Sequence, residues 1–154
     1  MCSSDLLLLV LLMSALLLWL PVYEVPAVSA EASLPEAAEP AIRQYFISGN
    51  TLLSILNGAV GVLALVSLFS FKNRHLQLRL SNVNLLLICI LIGLLFFWAD
   101  TLGNTLNARI SYRYGSYLPL IQLIFTFLAT RAIRRDEELV RSADRRSEEH
   151  TSEL

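Results

Sequence analysis

The sequence predicts an all-α fold: a four-helix transmembrane bundle with up-down topology and both termini in the cytoplasm. Three observations predict it. Four apolar segments of bilayer-crossing character alternate with polar ones, the basic residues gather on one side of that threading, and the aromatic residues with polar tips gather on the other. Composition agrees, since 55% of the 154 residues are hydrophobic and 16% are charged, with a mean hydropathy of +0.59. An average soluble domain has about 25% charged residues. A disordered chain and a collagen are excluded by the apolar content and the 6 glycines, and a net charge of -1 gives no footprint for nucleic acid.

The two ends stand apart. Arg146 to His150, written as AGA TCG GAA GAG CAC, has a reverse complement that in a shifted frame reads Cys-Ser-Ser-Asp-Leu, the sequence of Cys2 to Leu6. Such a pair resembles a sequencing-library adapter translated in both directions, so residues 1–5 and 146–154 are read as artefact and 6–145 as one membrane domain. Without them the basic residues fall from 12 to 11 and the acidic from 13 to 9, for a net charge of +2. Cys89 and His75 are then the only thiol and imidazole. No disulfide, metal site or cofactor site is expected within one chain.

The expected spans are 6–20, 47–71, 80–99 and 117–133, against the ~20 residues that cross ~30 Å of hydrocarbon. The last is short and relies on snorkelling by Arg131. Helices are required because four segments cannot close a barrel and every backbone amide must be satisfied within lipid. Between the first two spans, 21–40 holds four of the five prolines and four glutamates, Glu24, Glu31, Glu36 and Glu39, which reads as an extended external loop. A rival reading makes Leu7 to Leu20 the core of a signal peptide, cleaved after Val28-Ser29-Ala30.

Orientation follows from the positive-inside rule. Lys72, Arg74 and Arg79 lie in the loop 72–79, and Arg131, Arg134, Arg135, Arg141 and Arg145 lie at the carboxyl end; only Arg43, Arg109 and Arg113 fall on the other side. That threading also brings Trp19, Tyr23, Tyr45, Trp98, Tyr112, Tyr114 and Tyr117 to the outer interface, as an aromatic belt would.

Candidate chemistry is sparse. The motifs H-E-x-x-H, G-x-x-x-x-G-K-[ST] and G-x-S-x-G are absent from the sequence, so no catalytic residues are assigned and the chain is read as not an enzyme. The polar residues within the spans are Ser14, Asn57, Ser67, Cys89, Gln122 and Thr126. Asn57 and Gln122 are candidates for interhelical polar contacts or for lining a path. Cys89 is expected to be a buried packing residue. Ser54, Gly58 and Gly61 share one helix face, which suits close helix packing within the bundle or in a homodimer. Asp100 is expected to pair with Arg109 or Arg113.

The tail 134–145 reads as a helix leaving the bilayer. Ala132, Ile133, Leu139, Val140 and Ala143 recur at helical spacing, and Glu137 precedes Arg141 by four, the favourable order for a pair. Its apolar edge has three possible berths: the membrane surface, a partner, or the 72–79 loop.

Tyr117-Leu118-Pro119-Leu120 together with Arg131 through Arg145, and the basic turn Lys72-Asn73-Arg74, resemble the signature of the domain-of-unknown-function 4293 family of small four-span membrane proteins of Bacteroidota. The resemblance runs from about Leu7 to Arg145. It implies the four-span topology and a bacterial inner membrane, with no catalytic residues. The resulting expectation is a non-catalytic accessory or structural membrane protein. It would use Lys72, Arg74, Arg79, Arg131, Arg134, Arg135, Glu137 and Arg141 at its cytoplasmic face to engage the lipid bilayer, a membrane-protein partner or a homo-oligomer. The alternative is a small transporter or channel subunit acting as an oligomer, with Asn57 and Gln122 facing a lumen.

Overall fold

The computed structural model describes residues 3–26, 42–70, 73–107 and 109–152. In chain order the elements are α1 (Ser3–Trp19), β1 (Pro21–Pro26), β2 (Ile42–Phe46), a 3-10 turn at Ile47–Gly49, α2 (Thr51–Phe69), α3 (Arg74–Leu106), β3 (Ser111–Tyr112), a 3-10 turn at Tyr114–Tyr117 and α4 (Leu118–Ser152). Each helix packs on its two neighbours, α1 on α2, α2 on α3, α3 on α4 and α4 on α1, so the four close into a ring. Leu17, Leu53, Leu95 and Leu118 meet at one end, where the strands also lie. Leu6, Leu7 and Ala129 pack together at the other, with Leu68 against them. Successive helices therefore run up, down, up and down.

Buried positions recur at steps of three and four: Leu7, Val10, Ser14 and Leu17; Leu53, Asn57, Val60, Ala64 and Ser67; Gln77, Ser81, Asn84, Ile88, Leu91 and Leu95; Leu118, Gln122, Thr126, Ala129 and Ile133. An average near 3.5 residues keeps one stripe per helix facing the bundle axis, the geometry of left-handed helix packing. The opposite faces carry Leu12, Val62, Leu86, Ile124 and Phe127, all well exposed. A helix with an apolar outside as well as an apolar seam fits a lipid surrounding.

Three helical stretches, Thr51–Phe69, His75–Leu106 and Tyr114–Ser142, are long and apolar enough to cross a membrane. The fourth apolar helix, α1, has 17 residues and is an integral part of the ring, since Leu7, Val10 and Leu17 are fully buried. The segment 28–31 of the signal-peptide reading lies outside the described residues.

Several expectations need correction. Pro21–Pro26 is not loop but the central strand of a three-stranded antiparallel sheet of order β2-β1-β3. Its apolar Val22 and Tyr23 were available to cover the bundle end, which a solvated loop would have left open. The basic segment is likewise helical from Arg74 onward. Arg, Leu and Gln are good helix formers and no Gly or Pro interrupts them. Asn50 caps α2, its Oδ1 accepting from the amides of Leu52 (3.0 Å) and Leu53 (3.3 Å), as the orphan donors of a helix start require. Asn107 ends α3 in the left-handed region at φ 46°, where Asn is tolerated.

Cys89 is exposed on the outer face of α3, not a packing residue of the core. Its position is one step off the Ile88 stripe. The small-residue face of α2 is also divided. Gly61 is buried, and a Cβ there would sit 2.9 Å from Ser14 Oγ, so it admits α1 closely. Gly58 points to open space.

Candidate functional site

Three places gather polar side chains, and their geometry differs. At the sheet end, Tyr23 packs edge-on to Tyr112, with ring centroids 6.0 Å apart, and its hydroxyl donates to the Leu95 carbonyl of α3. Burial, with a smaller contribution from Tyr112, pushes the Tyr23 phenol above its ordinary range, so it stays protonated. Beside it Glu24, 8% exposed, accepts from Arg113 Nε at 2.7 Å and Gln44 Nε2 at 3.0 Å. The Arg113 amide donates to the Val22 carbonyl, and Gly115 lets the following turn close, since a Cβ there would lie 2.6 Å from Pro21 O. Every link ties β1 to a neighbour.

This network replaces the expected Asp100 pairing. Arg113 goes to Glu24, which β-pairing holds next to it, while Asp100 accepts from Asn104 Nδ2 one turn along its own helix at 3.1 Å. Asp100 and Arg109 do border one shallow cleft with Tyr112, but Arg113 is not among its walls. The belt is likewise divided. Tyr23 is buried at 3% exposure, whereas Trp19, Tyr114 and Tyr117 are well exposed.

The second place is the tail end. Arg79, Arg131, Arg134, Arg135 and Arg141 are exposed; Lys72 lies outside the described residues, and Arg74 is described by its backbone, at the first turn of α3. Glu137 pairs with His75 Nδ1 at 3.0 Å, not with Arg141 as its spacing suggested. The α3–α4 packing that brings the two helix ends together is a tertiary fact, which i, i+4 spacing does not see. Ile133 is buried, while Leu139 and Val140 further along are 61% and 46% exposed. Arg131, Arg135, Leu128 and Leu139 line a shallow groove on α4.

The third place is the middle of the bundle. Ser14 and Asn57 bond reciprocally: Ser14 Oγ donates to the Asn57 carbonyl at 3.2 Å, and Asn57 Nδ2 donates to the Ser14 carbonyl at 3.0 Å. Toward the tail end, Ser67 and Ser81 share a hydrogen bond of 3.3 Å, and Thr130 Oγ1 donates to the Thr126 carbonyl at 2.9 Å. Gln122 is fully buried in the chain's own core, as is Asn57. Asn57 Oδ1, both amide atoms of Asn84 and of Gln122, and Thr126 Oγ1 have no hydrogen-bond partner among the described residues. Leaving such an atom unsatisfied costs about 1–3 kcal/mol. Gln77, Ser81, Asn84 and Thr130 were missed as interior polar residues. The step pattern that carries Ile88, Leu91 and Leu95 inward, continued backward, reaches Asn84, Ser81 and Gln77.

The family model for a domain of unknown function, DUF4293, matches residues 5–145. The chain belongs to the DUF4293 family. Among curated proteins none matches it. Membership and the apolar helices together fit a membrane protein. DUF4293 assigns no chemistry to any residue, so the three polar places above are the candidates, and among the described residues no group of three His, Cys, Asp or Glu side chains lies where it would hold a metal ion.

Proposed function

We propose that this DUF4293 protein is a non-catalytic accessory protein of a bacterial inner membrane. In this reading α1 completes a fourth crossing and both chain ends face the cytoplasm. The working surface is the cytoplasmic end of α4. One observation carries the reading: α4 runs unbroken from Leu118 past Ile133 to the end of the domain at Arg145, about 40 Å at 1.5 Å per residue. Beyond Ile133 it presents Arg134, Arg135, Arg141, Leu139 and Val140 exposed, with Glu137 turned to α3. A continuous helix holds these groups at fixed spacing, and the Glu137–His75 contact steadies its base against α3. Arginines beside an apolar edge suit an anionic lipid surface or the acidic rim of another membrane protein.

Orientation is supported by eight Lys and Arg on the tail side against three on the other. A Cys-free chain carrying His75→Cys should label with membrane-impermeant maleimide only after the cytoplasmic face is opened, and labelling from intact cells would overturn the reading. A photo-crosslinking residue at position 139 tests the surface in native membranes. A discrete protein adduct marks a partner and a lipid adduct marks the membrane surface. No adduct of either kind, with the chain inserted, overturns the proposal.

A further inference from the structure

Six side-chain atoms within the bundle have no hydrogen-bond partner among the described residues, and they belong to residues between 0% and 1% exposed. They follow one another along the bundle axis, on either side of the Val10, Val60 and Ile88 cluster. Ser14, bonded to Asn57, sits between Leu17, which packs in the cluster with Leu118, and Val10, which packs in the cluster with Leu123 and Phe125. Asn57 and Gln122 thus share a layer. Thr126 lies one turn further along α4, and Asn84 one turn beyond Ile88, which packs in the cluster with Val60 and Ala64. The polar stretch is about 10 Å long, the rise of seven residues. The layer of Leu17, Leu53, Leu95 and Leu118 closes it at one end, and at the other Leu7 and Ala129 pack at about the level of Asn84.

Left unsatisfied, six buried polar atoms would together rival the whole stability margin of a small domain. Their chemistry identifies what satisfies them. Acceptors are Asn57 Oδ1, Asn84 Oδ1 and Gln122 Oε1; donors are the amide N–H groups of Asn84 and Gln122; Thr126 offers both. A cation would meet the N–H donors, and a proton relay would need a titratable group, which none of these residues supplies. A species that donates and accepts equally, and fits between side chains, is required. We propose that the middle of the bundle is an occluded water-binding site, in which internal water bridges Asn57, Asn84, Gln122 and Thr126.

Radiolytic hydroxyl labelling of the full chain in lipid nanodiscs tests this, because radicals form from bound water and mark the side chains beside it. Ile88 and Val60, both fully buried, should label above the outward-facing Leu86 and Ile124. Gln122→Leu should reduce that labelling severalfold while leaving exposed Leu139 unchanged. Labelling of Ile88 and Val60 at or below the level of Leu86 overturns the proposal. A thermal double-variant cycle of Asn84→Leu and Gln122→Leu provides a second reading. Shared water makes the pair's loss of Tm smaller than the sum of the singles, and strict additivity overturns the proposal.

Discussion

The sheet end and the middle of the bundle both bury polar side chains, yet the middle pairs only some of them, Ser14 with Asn57. At the sheet end each has a partner from another element: Tyr23 has Leu95, and Glu24 has Arg113 and Gln44. In the middle, Asn84 and Gln122 have none among the described residues. Strand pairing explains the difference. It sets β1 between β2 and β3 in fixed register, so side chains from three segments meet at hydrogen-bond distance. Parallel stripes on four helices face a common axis instead, with spacing set by the bulk of Leu and Ile layers rather than by the reach of an amide. A polar side chain buried with its partner fastens the fold; one buried without a partner marks a place where something else is held.

That contrast can be broken in order of expected effect. Tyr23→Ala should cost about 3–5 kcal/mol in a detergent unfolding titration, the scale of deleting a buried aromatic ring, whereas Tyr23→Phe should cost only about 1 kcal/mol for the lost hydrogen bond. Equal losses would mean that the hydroxyl, not the ring, carries the contact. Gly115→Val should cost about 1–3 kcal/mol, because β1 backbone lies where the new side chain begins. Arg113→Met should lose about 1 kcal/mol, since Arg113 is 43% exposed and part of the attraction is screened.

A pH series sharpens the same contrast. The Tyr23 phenol is raised by burial, so its contribution is fully present below the unfolded value, about 10, and is lost as the pH climbs toward the folded value. Melting of the wild type should therefore fall off in alkali more steeply than melting of Tyr23→Phe; parallel curves would show that the phenol is not held in its neutral form. At the small end, Ser14→Ala should cost about 0.6 kcal/mol, typical of interhelical hydrogen bonds in bilayers. A much larger loss would move the Ser14–Asn57 pair from a modest contact to a main fastening of the bundle.

Much of the fold was legible because apolar runs of this length admit few structures. The helices around 51–69 and 80–99 follow from hydropathy alone, and the polar breaks between spans follow from charge and proline. The seam was legible in part: Asn57 and Gln122 stood out as isolated polar residues in oily runs, whereas Asn84 was hidden beside Ser81 and Asn82 near a polar boundary. β1 was hidden by its own prolines and Glu24, which read as loop until Arg113, nearly ninety residues away, supplied the counter-charge. Glu137 offered a partner at four residues and took one on another helix.

Sequence by itself determined that oily helices alternate with polar connections and that Arg and Lys collect at one end, because hydropathy and charge act locally and need no neighbour to be read. Only the tertiary structure decided that Cys89 faces outward, that β1 closes the bundle, that Glu24 meets Arg113, and that Asn84 and Gln122 lie inside without partners. Those outcomes depend on which stripe of each helix turns toward the axis and on contacts between distant segments. A one-residue change of phase, about 100° on a helix, separates Ile88 in the core from Cys89 outside it.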